Sequence, residues 1–222
     1  MAATTNGTRL DHRTISDIVK QSSSVLDLGC GNGELLSLLV REKHVKGQGI
    51  EIDDKAILEC VAKGLSVFHE DIDSSLVDYE DNSFDFVIMN QTFQQVKKPH
   101  SALQEALRVG RKVIIGIPNF AHIKARYQIF FRGRTPVTGA LPYEWHDTPN
   151  LHFLSLLDFI EYCHKKNIVI EESHFIGMKR KITLLPNLFA QTGIFVISGV
   201  ISGVINSVLT NSQKEGGDDR PL

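Results

Sequence analysis

Residues 25–33 read VLDLGCGNG, and the fold is decided there. Four residues of strand character, Val25 to Leu28, run into a loop with glycine at 29, 31 and 33. A helical pattern then opens at Glu34 with Leu35, Leu36, Leu38 and Leu39. A strand feeding a glycine-rich turn and a helix turns backbone N–H groups and a helix N-terminus toward whatever sits above it, which suits nucleotide-containing ligands. Asp27 narrows the ligand. A dinucleotide site brings this loop against a pyrophosphate, which a carboxylate at the strand's end would repel. Here the acid lies two residues before the first glycine, and the spacing is G-x-G-x-G rather than G-x-G-x-x-G. Both features favour a ligand with positive charge near the loop. S-adenosylmethionine carries such charge on its α-amino group and on its sulfonium. The alternative is a tight strand-to-helix turn with an incidental acid.

Outward from the loop, strands and helices alternate. The pattern predicts a short helix over Leu10–Val19, a helix over Glu34–Glu42 and a strand over Gly47–Ile52 that ends in Glu51, Asp53 and Asp54. Glu51 lies roughly 20 residues past the glycine turn, where a βαβ unit delivers an acid to a ribose, and a carboxylate can accept both ribose hydroxyls. The competing role is a helix N-terminal acid, which Asp53 or Asp54 fills better. A helix over Asp54–Lys63 and a strand over Leu65–His69 lead to Glu70, Asp71 and Asp73. Asp71 is placed to accept from an adenine amine, with a solvated loop as its alternative. After the turn Asp81-Asn82-Ser83 comes the apolar strand Phe84–Met89, with Asn90 and Gln91 at its carboxyl end. Helix Ser101–Val109 and strand Val113–Ile117 follow. Right-handed crossovers bring these acids and Asn90 to one edge of a single doubly wound, mostly parallel α/β sheet of Rossmann-like type.

Residues 119–152 differ in character. Phe120, Ile123, Tyr127, Ile129, Phe130 and Phe131 are interleaved with Lys124, Arg126, Arg132 and Arg134; then Gly133, Pro136, Pro142 and Pro149 break the pattern. A short helix followed by a long functional loop is expected. His122, His146 and His152 lack a regular ligand spacing, so no metal site is predicted. A helix from Ser155 through Cys163, a strand starting at Ile168–Ile170, and a final strand with a docking helix over the repeat VISGVISGVINSVL (196–209) complete the chain. Insertion of Gly193–Leu209 into a membrane is the lesser reading, because serine, glycine and asparagine dilute it.

The composition is that of a globular protein. Of 222 residues 42% are hydrophobic and 23% charged, and a formal net charge of −2 offers no global attraction to nucleic acid or anionic lipid. Cys30, Cys60 and Cys163 form no C-x-x-C pair, which fits a reducing cytoplasm. No apolar h-region marks the N-terminus. The expected organisation is a flexible segment 1–8, one domain over 9–200 with 119–152 as a loop-rich insertion, and an extension over 201–222 with a disordered tail.

The motifs LDHRTISDIV (10–19), VLDLGCGNGELL (25–36), GQGIEID (47–53), FDFVIMNQT (84–92), PNFAHIKAR (118–126) and LPYEWHDTPNLH (141–152) together resemble the MetW family of methionine-biosynthesis proteins. The resemblance covers about Arg9 to Ile197, and its last two motifs are more specific than the glycine loop. It implies a seven-stranded class I S-adenosylmethionine-dependent methyltransferase fold. It also implies a role beside a homoserine O-acyltransferase of the MetX type, which residues 119–152 would contact. His146 stands where tyrosine is expected, and the 198–222 extension is longer than the family needs. The residues assigned to S-adenosylmethionine or S-adenosylhomocysteine are Asp27, Leu28, Gly29, Cys30, Gly31, Gly33, Glu51, Ile52, Asp71, Ile72 and Asn90. Methyl transfer to a small acceptor would draw on His122, Tyr143 or His152 as a base. No N-P-P-Y-like run follows Asn90, so a nucleic-acid amino group is not indicated.

Overall fold

Runs such as FDFVIMN (84–90), apolar on both faces, can be buried only inside a sheet covered by helices on each side. The computed structural model describes residues 9–199 and has this arrangement. In chain order the elements are α1 (Leu10–Ile18), β1 (Ser24–Leu28), α2 (Glu34–Lys43), β2 (Lys46–Glu51), α3 (Asp54–Ala62), β3 (Ser66–His69), α4 (Ile72–Ser75) and β4 (Phe84–Asn90). Then come α5 (Pro99–Val109), β5 (Gly110–Pro118), α6 (Ile123–Arg132), α7 (Leu156–Lys165), β6 (Val169–Ile176), α8 (Pro186–Phe189) and β7 (Thr192–Ser198). The strands make one seven-stranded sheet in the order β3-β2-β1-β4-β5-β7-β6. Strands β1 to β5 pair in parallel, and β7 runs antiparallel to both β5 and β6.

Side-chain alternation along the central strands builds a core on each face and also positions the site. On β1, Val25 packs with Ile15 of α1, Val19 just past its end, and Leu35 and Leu39 of α2. Leu26 and Leu28 join the opposite layer, with Leu103, Ala106, Phe159 and Phe195. On β4, Phe86 and Ile88 belong to the α1/α2 side. A period of two therefore puts Asp27 and Asn90 on that same face, at the carboxyl ends of neighbouring strands.

Local signals explain most boundaries. Asp53 caps α3 by accepting from the Ala56 N–H, and Ser155 and Asp158 form a reciprocal capping box at α7. Gly133, in the left-handed region at φ 58°, ends α6 where the break was expected. The four-residue helices α4 and α8 carry too few residues for a periodic pattern and were not foreseen. Val196–Ser198 of the C-terminal repeat completes β7, whereas the docking helix expected beyond it, like segments 1–8 and 201–222, lies outside the described residues.

Segment 119–152 is tied to the body at several points. Buried Asn119 donates to the carbonyls of Asn187 (3.0 Å) and Ala190 (2.8 Å) and accepts from the Ala121 N–H (3.0 Å). Gln128 and Val137 exchange two hydrogen bonds of 2.9 Å. The N–H groups of Leu151 and His152 both donate to the Gln94 carbonyl. No helix among the described residues is long and apolar enough to cross a membrane.

Candidate functional site

From β1 the chain proceeds outward through β2 to β3, and β4 then starts the opposite half of the sheet on the other side of β1. A crevice opens at such a switch point, beyond the carboxyl ends of the strands. Here it holds a cavity of about 140 Å³ whose walls include Asp27, Gly29, Cys30, Gly31, Asn90 and Gln91. Five of the residues assigned from the sequence thus share one wall.

Asp27 sets the electrostatics. It is 2% exposed. Burial, reinforced by repulsion from Glu51, pushes its carboxyl up to about 7, and no hydrogen bond or cation among the described residues offsets this. A buried acid left unpaired beside a cavity is a receptor for a cation or a donor.

The glycine loop departs from the expected role. Its N–H groups are spent inside the protein: Gly29 (2.8 Å) and Cys30 (3.1 Å) donate to the Ile50 carbonyl, and Gly33 (3.0 Å) donates to the Cys30 carbonyl. Gly31 donates to Glu51 Oε2 at 2.7 Å. Four loop N–H groups are therefore committed within the protein, three of them to β2, while the Asn32 N–H makes no hydrogen bond to a described residue. Gly31 lies in the left-handed region at φ 54°, and a Cβ built on it would meet nothing within 4 Å. That opening is where a ligand can approach the backbone. Gly33 instead gives room to Cys60 and Leu65 beneath the loop.

Glu51 stands beside the loop. Besides Gly31 it accepts from the N–H groups of Ile52 (2.8 Å) and Asp53 (3.0 Å), so its carboxylate is fixed in place and keeps lone pairs for a hydroxyl. Ile52, Asp71 and Ile72 lie farther along the same edge, outside the walls of the cavity. Asp71 caps α4 by accepting from the Asp73 N–H at 3.0 Å, and Lys97 Nζ is 3.7 Å away. Leu28 sends its side chain into the core, leaving only its backbone to the crevice.

The start of α1 contributes residues that sequence reasoning did not assign to the site. Arg9 donates to both carboxylate oxygens of Asp11, from Nε at 3.1 Å and Nη2 at 2.6 Å. Asn90 Nδ2 donates to Asp11 Oδ2 at 3.1 Å. Burial alone would raise the Asp11 carboxyl, but the charges of Arg9 and His12 and the hydrogen bonds from Arg9 and Asn90 hold it below the usual range. Arg9 and His12 line the cavity itself. The available signal was the charged run RLDHR (9–13) opening the helix that leads into the first strand.

The three candidate bases part company. His122 caps α6, its Nδ1 accepting from the Lys124 N–H at 3.2 Å, and burial together with Lys124 lowers its basicity. His152 meets the Val96 carbonyl through Nε2 at 3.1 Å. Neither lines the crevice. Tyr143 does line a second cavity, of about 500 Å³, that adjoins the first.

Comparison with known proteins is consistent with this geometry. Residues 9–197 match the family model described as methionine biosynthesis protein MetW. A relative from Rhodopirellula baltica, the bifunctional methionine biosynthesis protein MetXA/MetW, is 35% identical over 199 residues. The match covers 83% of this chain and only 32% of that relative, so the chain spans about a third of its length. Among solved structures, a SAM-dependent methyltransferase from Archaeoglobus fulgidus superposes with a TM-score of 0.62 at 15% identity, covering 85% of this chain and 91% of that one. One from Aquifex aeolicus gives 0.56 at 18% identity, covering 85% and 90%. At such identities the likeness establishes the class I methyltransferase fold.

Proposed function

The chain belongs to the MetW family of methionine biosynthesis proteins, and from that premise we propose that it binds S-adenosylmethionine or S-adenosylhomocysteine and serves as an accessory subunit of a MetX-type homoserine O-acyltransferase. The observation that carries the ligand half is Asp27, a buried, unpaired carboxylate at the mouth of the glycine loop. It would pair with the α-ammonium or sulfonium, Glu51 would accept the ribose hydroxyls, and Asp71 with Ile52 and Ile72 would meet the adenine. The commitment of the Gly29, Cys30, Gly31 and Gly33 N–H groups within the protein disfavours a pyrophosphate ligand and suits a nucleoside without phosphate.

The partner half rests on two supports. A relative carries a name that joins MetXA to MetW in one bifunctional protein. In addition, α6 buries only Ala125 and exposes Tyr127, Ile129, Phe130 and Phe131, an apolar face that isolated soluble domains rarely leave uncovered. Control by the ligand requires that it bind the free and partner-bound states with different affinities. Reconstitution with a purified MetX-type enzyme tests this: acyltransferase activity should rise at least about tenfold on adding this protein and respond to S-adenosylmethionine. Activity indifferent to both would sink the accessory role.

Gly31→Ala offers a check on the ligand alone. The new methyl group points into open space, so the fold should survive with a backbone-strain cost of about 1–2 kcal/mol. S-adenosylmethionine affinity, read by calorimetry, should fall about tenfold or more because the methyl occupies the ligand's approach. An unchanged affinity would place the ligand elsewhere.

Methyl transfer to a small acceptor is a second reading, favoured by the adjoining cavity that Tyr143 lines. Among the described residues lining that cavity, Asp11 is paired with Arg9, which leaves Glu34 and Tyr143 as the candidate bases for an acceptor.

A further inference from the structure

Past Gln91 the crevice widens into the cavity of about 500 Å³, a size typical of small-molecule sites. Arg9, Glu34 and Gln91 line both cavities and form the partition between them. Away from the partition the wall carries the Asp11 carboxylate, paired with Arg9, the carboxamides of Gln94, Asn150 and Gln191, the Tyr143 phenol and the Thr192 hydroxyl, set among apolar residues such as Leu10, Pro142 and Ile176.

Gln94 is 2% exposed. Its Nε2 donates to the Gln91 carbonyl at 2.8 Å, while its buried Oε1 accepts nothing from the described residues. A buried acceptor without a donor is uncommon in native proteins and marks a place for one. Gln191, also buried, makes no side-chain hydrogen bond to a described residue. The partition itself is strained. Gln91 is held at φ 63°, outside the range a side chain prefers, by its N–H to the Gly116 carbonyl (2.8 Å) and by Gln94 and Gln95 both donating to its own carbonyl.

We propose that this cavity is a second ligand site, for a free polar α-amino acid. Arg9 spends Nε and Nη2 on Asp11, and its Nη1 donors remain for the ligand's carboxylate. Glu34, across the partition, answers the ammonium. Gln94 Oε1 takes a donor from the ligand's side chain, with Gln191 on the same cavity wall. Phosphorylated and other multiply anionic ligands are rejected, because Arg9 is the one cation among the described lining residues and is already neutralised by Asp11 at 2.6 Å. Large apolar ligands would strand the carboxamides. The site stands on its own walls and needs neither the adenosyl ligand nor the acyltransferase.

The test is a titration of the full chain with L-serine, L-homoserine and L-glutamine, followed through the side-chain amide resonances of Gln94 and Gln191. Saturable binding of at least one probe below about 10 mM is expected, shifting both amides. Gln191→Met, whose side chain fits the same space, should weaken that binding at least about tenfold. Gln94→Met should do the same, and Gln191→Met decides the matter if Gln94→Met does not fold. Asp27→Asn should leave the amino-acid affinity within about twofold while removing S-adenosylmethionine binding. Three results would overturn the proposal: no saturable probe, full affinity retained in Gln191→Met, or one-for-one displacement by S-adenosylmethionine, which would assign the probe to the first cavity. If S-adenosylmethionine fails to bind while an amino acid does, the adenosyl ligand is wrong and the second site stands.

Discussion

Asp27→Asn is expected to stabilise the protein and to abolish the proposed binding of S-adenosylmethionine. The folded environment holds the Asp27 carboxyl at about 7, through burial first and Glu51 second, against 3.8 for a free side chain. An acid whose folded value is raised costs nothing below its unfolded value, costs more with each step up to its folded value, and carries the full cost above it. At pH 8 the wild type therefore bears a penalty on the order of 2–4 kcal/mol that asparagine removes. Denaturant melts should show Asp27→Asn the more stable at pH 8, with the gap shrinking toward zero near pH 4 as the aspartate protonates. Ligand binding should run the other way. Loss of a charge partner in a water-poor site costs at least about 100-fold in affinity for a cationic ligand. For the wild type the same cation requires ionised Asp27, so affinity should fall by up to about tenfold per pH unit below 7 and level off above it. A variant that is destabilised at pH 8, or that binds as tightly as wild type, would contradict this account.

Replacing Phe130 and Phe131 together by aspartate is expected to uncouple the protein from the acyltransferase proposed as its partner while leaving the isolated domain intact. The two rings are 81% and 69% exposed, so neither supports the core. They pack edge-on against each other with centroids 4.8 Å apart, and Tyr127 lies 5.0 Å from Phe131. A rigid aromatic cluster on an exposed helix is the kind of surface that concentrates binding energy once a partner dehydrates it. Two buried charges in its place should lower acyltransferase stimulation by at least about 100-fold, with copurification lost. Stability should move by no more than about 0.5 kcal/mol, as for other exposed substitutions. S-adenosylmethionine binding should be unchanged. Trp145→Ala, at a ring 74% exposed that packs edge-on against His146 and stands apart from the phenylalanine pair in sequence, should give a smaller loss. Full stimulation by the double variant would put the docking surface elsewhere, and a large fall in melting temperature would mean that α6 supports the domain.

The order of strands and longer helices was legible because each central strand announces itself as an apolar run and each helix of nine or more residues by its period or its cap. Ser155 with Asp158, Asp53 and Gly133 mark ends that depend only on neighbours a few residues away. The hairpin that slides β7 between β5 and β6 was not legible, since antiparallel insertion is a choice among sheet edges and not a property of TGIFVIS. At the site, the sequence pointed to Asp27, Gly31, Glu51 and Asn90 through spacing. It could not show that the N–H groups of Gly29, Cys30 and Gly31 are taken up, because their partners Ile50 and Glu51 are on another strand.

By itself, the sequence determined the doubly wound α/β architecture and the collection of acids at one sheet edge. Both follow from short-range periodicity and from the fixed hand of βαβ crossovers. The family membership of residues 9–197 was likewise written in the motifs. Only the tertiary structure decided how those acids are charged and what surrounds them. The raised value of Asp27 comes from burial beneath α1 and α2, and Arg9 enters the wall through Asp11 and Asn90, 79 residues apart in the chain. Desolvation and pairing are properties of the space around a group, and that space exists only once distant segments have packed.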